Sequence, residues 1–333
     1  FWVEDVVAVF YAAKTRTYLL AQGLEPWSWW DPLAQLGIPR LSNVQVGWFS
    51  PFSLWFAALP PVQAWRLYPL FIDSVLLLSC YAFLRSCKLR PLSASWGALM
   101  WVGTGSLIVL SQDPCYKESM VATCLTLASQ IAYWRTSNRR YLLAVAASGA
   151  LHAAAGSPTG LFYNHLCLLL LLPALAFKFK VSPRRVLCTG VAYTAGLLLL
   201  FAPWLALQDF IRHGHRQLAE VQTTHLFENY RRTPIEIVLP LASETLLGQR
   251  RAKIHSPGYY LVADFSIVVS ILALGSWRDP RLRPVLFVTF LLMLQMLGER
   301  GGGLWLLHKL LPATQKVRAP ERFFLAASLG WIY

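Results

Sequence analysis

The feature that most constrains this chain is a succession of long apolar runs separated by short loops carrying arginine and lysine. The runs cover residues 61–84, 92–111, 117–134, 141–155, 161–177, 186–207, 259–275 and 283–298, and a ninth begins at about 322. Crossing a hydrocarbon core takes about 20 apolar residues in a helix, and there only helices and closed barrels satisfy their own backbone. The expected fold is therefore all-α, a polytopic transmembrane helical bundle. Composition agrees: hydrophobic residues are 56% of the 333 and charged residues 14%, against about 25% charged in a soluble domain.

Orientation follows from the loops. Loop 85–90 holds Arg85, Lys88 and Arg90, loop 135–140 holds Arg135, Arg139 and Arg140, loop 178–185 holds Lys178, Lys180, Arg184 and Arg185, and loop 276–283 holds Arg278, Arg281 and Arg283. The alternate short loops 112–116 and 156–160 hold none. The positive-inside rule makes the first group cytoplasmic, so the net charge of +14 is a matter of topology and gives no reason to expect nucleic-acid binding. Four regions result: a first exoplasmic loop over 1–60, a six-helix transmembrane core over 61–207, an exoplasmic loop region over 208–258, and C-terminal transmembrane helices over 259–333, the last incomplete. Residues 1–60 on the outside call for an earlier span before Phe1, and more chain is expected after Tyr333.

Residues 29–52, WWDPLAQLGIPRLSNVQVGWFSPF, are rich in aromatics and nearly uncharged, yet three prolines and two glycines break them. Tryptophan suits the headgroup level, and broken backbone survives there only when buried by protein or lining a wet cavity. The segment is expected to roof a cavity at the outer leaflet. Residues 1–23 read as an interfacial helix, with Val6, Val9, Phe10, Ala13 and Thr17 on one side, Lys14 and Arg16 toward a polar side, and Gly23 as its stop. Glu4 and Asp5 fall in its first turn, where the helix dipole favours the ionised form. They serve either as a general base or as dipole partners.

Further polar residues carry two readings each. Asp113 and Glu118 are the acids of "SQDPCYKES"; they either hold a hard cation through oxygen or cap the helix beginning near Lys117. Asp73 and Asp264 lie within spans, where acids are costly and often functional, although Asp73 can also pair inside the bundle. His213 and His215 lack other ligands at metal spacing and read as surface residues. Arg250, Arg251 and Lys253 suit phosphate headgroups or an anionic acceptor, and "ERGGG" at 299–303 reads as an outer turn. The six cysteines lie mostly in spans without paired spacing, which points to no disulfide framework and no zinc site.

Taken in order, the acidic pair, the interfacial helix and W-D-P-L-x-x-x-G-I-P-R-L-S-N-x-Q-x-G-x-F-S-P-F resemble the first outer loop of C-type (GT-C) glycosyltransferases, closest to the YfhO-like bacterial membrane proteins. "AGSPTGLFYNHL" at 155–166 and "VRAPERFFLAASLG" at 317–330 resemble two further elements of that branch. Ser157 stands where a histidine is common, and Ser50-Pro51 replaces Tyr-Pro.

The resemblance implies an inverting sugar transfer on the periplasmic or extracellular face of the bacterial inner membrane, from a polyprenyl-phosphate sugar to an acceptor. It puts Asp5, then Glu4, as general base. Arg318, Arg322 and Arg40 would meet the donor phosphate, with Tyr11, Trp30, Asn43 and Gln45 toward the groove or acceptor. Magnesium or manganese is the cofactor implied, on Asp113 and Glu118. Implied partners are membrane lipids, the lipid-linked sugar and fellow subunits of a membrane complex. The competing reading is a GT-C-like subunit without catalysis, structural or in assembly. A transporter is more distant, because paired broken helices in matching halves are not evident.

Overall fold

The computed structural model describes residues 11–31, 38–40, 44, 47–103, 114–213, 278–280 and 282–287. They are mostly helical, with one two-residue strand pair. In chain order the helices are α1 (Ala12–Ala21), α2 (Ser53–Ala58), α3 (Pro61–Ser86), α4 (Pro91–Val102), α5 (Pro114–Thr136), α6 (Arg140–Ala154), α7 (Pro158–Lys178), α8 (Pro183–Leu199) and α9 (Ala202–His213). Strands β1 (Trp30–Asp31) and β2 (Ile38–Pro39) pair antiparallel, Trp30 opposite Pro39 and Asp31 opposite Ile38.

Local chemistry explains several boundaries. Gly23 has φ +68°, and the amides of Gly23 and Leu24 donate to the carbonyls of Leu20 and Leu19, which is the Schellman ending that a glycine beyond the last turn permits. The expected stop of the interfacial helix is therefore where it forms. α4 begins on Pro91, whose missing N–H is not needed in a first turn. Ser157 accepts the Gly160 amide at 3.0 Å, capping α7 ahead of Pro158. Ser157 thus has a structural task.

Among the described residues, two helices are long and apolar enough to cross a membrane, α3 and the stretch Gly160–Lys178 of α7. The pair Pro183–Leu199 and Ala202–Asp209, bent by 60°, makes a third if counted as one span. The continuous run expected over 186–207 is therefore broken, with Pro203 just beyond the break. Of the other expected spans, α6 matches its run but at 15 residues is short for a crossing, α4, with 12 described residues, lies at the start of the run 92–111, and α5, with 23, is interrupted by polar side chains. Expected spans 259–275 and 283–298 and the one from 322 lie largely or wholly outside the described residues.

Two compact units divide the chain: residues 1–86, 111–161 and 187–217 form one, and residues 87–110, 162–186 and 218–333 the other. They interleave in sequence, unlike the four consecutive regions read from the apolar runs. In the first unit α5 is the central helix, packed on α3 and α6 and buried along nearly its whole length. Its burial against protein explains how Lys117, Glu118, Ser119, Thr123 and Thr126 are tolerated in one helix. α6 and α8 approach closely: a Cβ on Gly196 would sit 1.8 Å from the Ala146 carbonyl, and one on Gly149 2.3 Å from that of Tyr193.

Candidate functional site

Two charged clusters stand out in the first unit. The outer one is built on the loop after α1. The Arg40 amide donates to the Trp29 carbonyl at 2.8 Å, directly after the β1–β2 pair, and this fixes the backbone from which the Arg40 side chain extends. Its Nη2 donates to Glu25 Oε1 at 2.9 Å, while Arg16 Nε and Nη2 donate to Oε2 and Oε1 of the same carboxylate at 3.1 and 2.7 Å. Burial alone would raise the Glu25 carboxyl, but hydrogen bonds and charges from Arg16 and Arg40 outweigh it and hold the group below its ordinary 4.5.

The guanidinium of Arg40 lies beside two indoles packed edge to face, 5.3 Å from the ring centre of Trp27 and 5.7 Å from that of Trp48. Arg40 is 2% exposed. Among the described residues, three buried donors in this corner, Arg40 Nε, Arg40 Nη1 and Trp48 Nε1, meet no acceptor. Among the described side chains here, two arginines face one glutamate, a surplus of positive charge. Unpaired buried donors are costly, and a surplus cation with free N–H groups is suited to an anion. Around it, Leu24, Trp27, Trp29 and Phe49 are exposed, the aromatic rim expected of a surface meeting lipid headgroups.

The inner cluster joins α1, α2 and α3 to α5. Glu118 accepts Ser50 Oγ at 2.5 Å and the Tyr68 hydroxyl at 2.6 Å, and Lys14 Nζ lies 3.9 Å from its Oε1. Lys14 donates to Ser53 Oγ at 2.9 Å, and that hydroxyl donates to the Gly47 carbonyl at 2.6 Å. Lys117 pairs with Asp73. Lys14, Lys117 and Glu118 are essentially unexposed. Further along α5, Thr123 Oγ1 lies 3.0 Å from His152 of α6, whose other ring nitrogen lies 2.8 Å from the Tyr193 hydroxyl.

Several expectations change here. Lys14 does not face a polar surface; the Glu118 carboxylate and Ser53 draw it inward. Glu118 does not cap a helix starting near Lys117, because α5 already begins at Pro114. Two hydroxyls and an ammonium lie against the Glu118 carboxylate, and Asp113, its expected companion in holding a cation, lies outside the described residues. Asp73 takes a lysine as partner. Tyr11 is half-buried, its ring 6.0 Å from that of Trp65. Trp30 lies in β1. Phe49 and Pro51, from the segment expected to roof a cavity, line one bounded by α3, α5 and α6.

Glu4, Asp5, Asn43, Gln45, Asp113, Arg318 and Arg322 lie outside the described residues, as do His215, Arg250, Arg251, Lys253, Asp264 and 299–303. The six cysteines form no disulfide and five are buried. Sequence reasoning missed Glu25, Trp48, Tyr68 and His152. The signal was present for Glu25, an acid between Arg16 and Arg40 in a segment otherwise short of charge. Models of known families, curated proteins and solved structures give no match to this chain.

Proposed function

We propose that this chain is a polytopic, GT-C-like membrane glycosyltransferase that moves a sugar from a polyprenyl-phosphate donor to an acceptor on the exoplasmic face, with inversion. The resemblance of its first outer loop motivates the reading. The observation that carries it is Arg40: within the G-I-P-R stretch of that motif, it is buried, and among the described residues two of its guanidinium donors and the neighbouring Trp48 N–H are unpaired. A phosphate oxygen at the membrane surface supplies the missing acceptors.

In this reading the acceptor hydroxyl attacks the anomeric carbon as Asp5, with Glu4 as the alternative, takes its proton. The bond from that carbon to the phosphate oxygen breaks, and the charge gathering on the departing phosphate is met by Arg40, Arg318 and Arg322. Magnesium or manganese, with Asp113 as one donor, would add positive charge at the leaving phosphate; no step above depends on it.

The test is transfer by the full chain in proteoliposomes supplied with a panel of undecaprenyl-phosphate hexoses. Asp5→Asn is expected to lower transfer by about 10² to 10⁴ while the protein stays folded by circular dichroism. Full activity in Asp5→Asn removes the assigned base. A wild-type chain that turns over no donor and co-purifies in a stable complex supports the structural subunit instead.

A further inference from the structure

A cavity of about 970 Å³ runs along α3, α5 and α6, at the upper end of the range of ligand pockets, roughly 300 to 1,000 Å³. Its two ends differ. One end is lined by Arg85, Tyr141 and Arg135, whose Nη1 donates to the Ser86 carbonyl and so ties the ends of α3 and α5 together. Both arginines are exposed. Along its length it is walled by small apolar side chains such as Ala132 and Ala147, and at the far end by Phe49 and by Leu200 at the α8–α9 break.

We infer that this cavity takes one acyl chain of an anionic phospholipid whose phosphate rests between Arg85 and Arg135. Length fits. From Tyr141 to Ala154 the α6 wall extends about 20 Å at 1.5 Å per residue, somewhat more than one leaflet of a core about 30 Å thick. A helix, by contrast, is about 10 Å across at least, and 20 Å of it displaces roughly 1,600 Å³, more than the space holds.

Charge fits as well. Arg85 and Arg135 line the mouth and no acid is among the lining residues, so the mouth favours an anionic headgroup over a zwitterionic one, and guanidinium forks match phosphate oxygens. Polar wall groups are few, which suits a hydrocarbon chain and not a hydrated solute. This site lies at the arginine-bearing ends of α3 and α5, so the inference stands whether or not the transferase reading does.

The experiment places the full chain in nanodiscs of equal phosphatidylglycerol and phosphatidylcholine, releases it, and counts retained lipids by native mass spectrometry. Wild type is expected to favour phosphatidylglycerol by about thirtyfold, the equivalent of about 1 kcal/mol per arginine near an anionic surface. Arg85→Gln with Arg135→Gln should erase that preference and leave phosphatidylcholine retention unchanged. Ala147→Phe should reduce both lipids; Ala147→Leu, a smaller intrusion, replaces it if near-ultraviolet circular dichroism shows loss of fold.

Equal retention of the two lipids by wild type, an undiminished preference in the double variant, or unaltered retention in a folded Ala147 variant overturns the inference. Displacement of the adduct by excess inorganic phosphate also overturns it, by assigning the arginines to the free ion.

Discussion

The two charged clusters of the first unit are built from the same residue types and treat them differently. Around Glu118 the interior groups face one another: Lys14 meets Ser53 and Glu118, Glu118 meets Ser50 and Tyr68, and Lys117 meets Asp73. Around Glu25 the acid is saturated by Arg16 and Arg40, but Arg40 keeps two donors over and Trp48 a third. A complete network specifies packing. An incomplete one, equally buried, is where a ligand atom completes the set. The inner cluster is thus the bolt that fastens the outer loop to α5, and the outer cluster is the place to look for chemistry.

The sharpest way to break this contrast is to remove the bolt. Glu118→Ala leaves Lys14 buried beside two hydroxyls with no counter-charge, and breaking a buried pair in this way costs about 3 to 5 kcal/mol. Thermal unfolding of the full chain in detergent should show that loss. Lys14→Met combined with Glu118→Met should recover most of it, because no charge then remains unmatched. A double variant as unstable as Glu118→Ala would mean that the pair is not the unit of stability.

Arg40→Gln asks the opposite question of the outer cluster. Its guanidinium gives Glu25 one of three hydrogen bonds and, among the described residues, leaves two donors unpaired, so the lost bond is offset by removal of unsatisfied buried donors and the unfolding temperature should move little, within about 1 kcal/mol. Sugar transfer should fall by about 10² to 10³, the usual cost of one lost donor to a developing oxyanion. Arg40→Lys should not restore it, since a single ammonium cannot present two N–H groups in a fork. An equal loss of stability and activity would make Arg40 another bolt.

Much of the architecture was legible in advance. The apolar runs locate α3 and α5 to α7 to within a few residues, because the length of a run is a local property. Gly23 was legible for the same reason, as a conformation that one residue type supplies. The break near Leu200 was not read from the run 186–207, although Pro203 carries a signal against uninterrupted helix. Lys14 was misjudged because its helix has no marked apolar side, and its environment is set by Glu118, a hundred residues later. Tyr68, Ser50 and Ser53 were invisible for that same reason: a hydroxyl becomes part of a site only when folding brings an acid to it. Arg40 was named from the motif, and its unpaired donors are a property of the packed loop alone.

The smallest expected effect separates the clusters by pH. The Glu25 carboxyl is held below its ordinary value in the folded chain. Its contribution to stability is therefore complete above the ordinary value of 4.5 and fades as pH falls through the lowered one, where the protonated acid releases Arg16 and Arg40. Because Glu25 is one-fifth exposed, solvent screening limits the effect to about 1 kcal/mol or less. Tryptophan fluorescence is the appropriate readout, since the Arg40 guanidinium lies against both Trp27 and Trp48. Titrated downward from neutrality, wild type should show an emission change beginning below pH 4.5, and Glu25→Gln should remove it while leaving the rest of the profile intact. A change that persists in Glu25→Gln belongs to another carboxylate, and the outer cluster then holds Arg40 by its indoles alone.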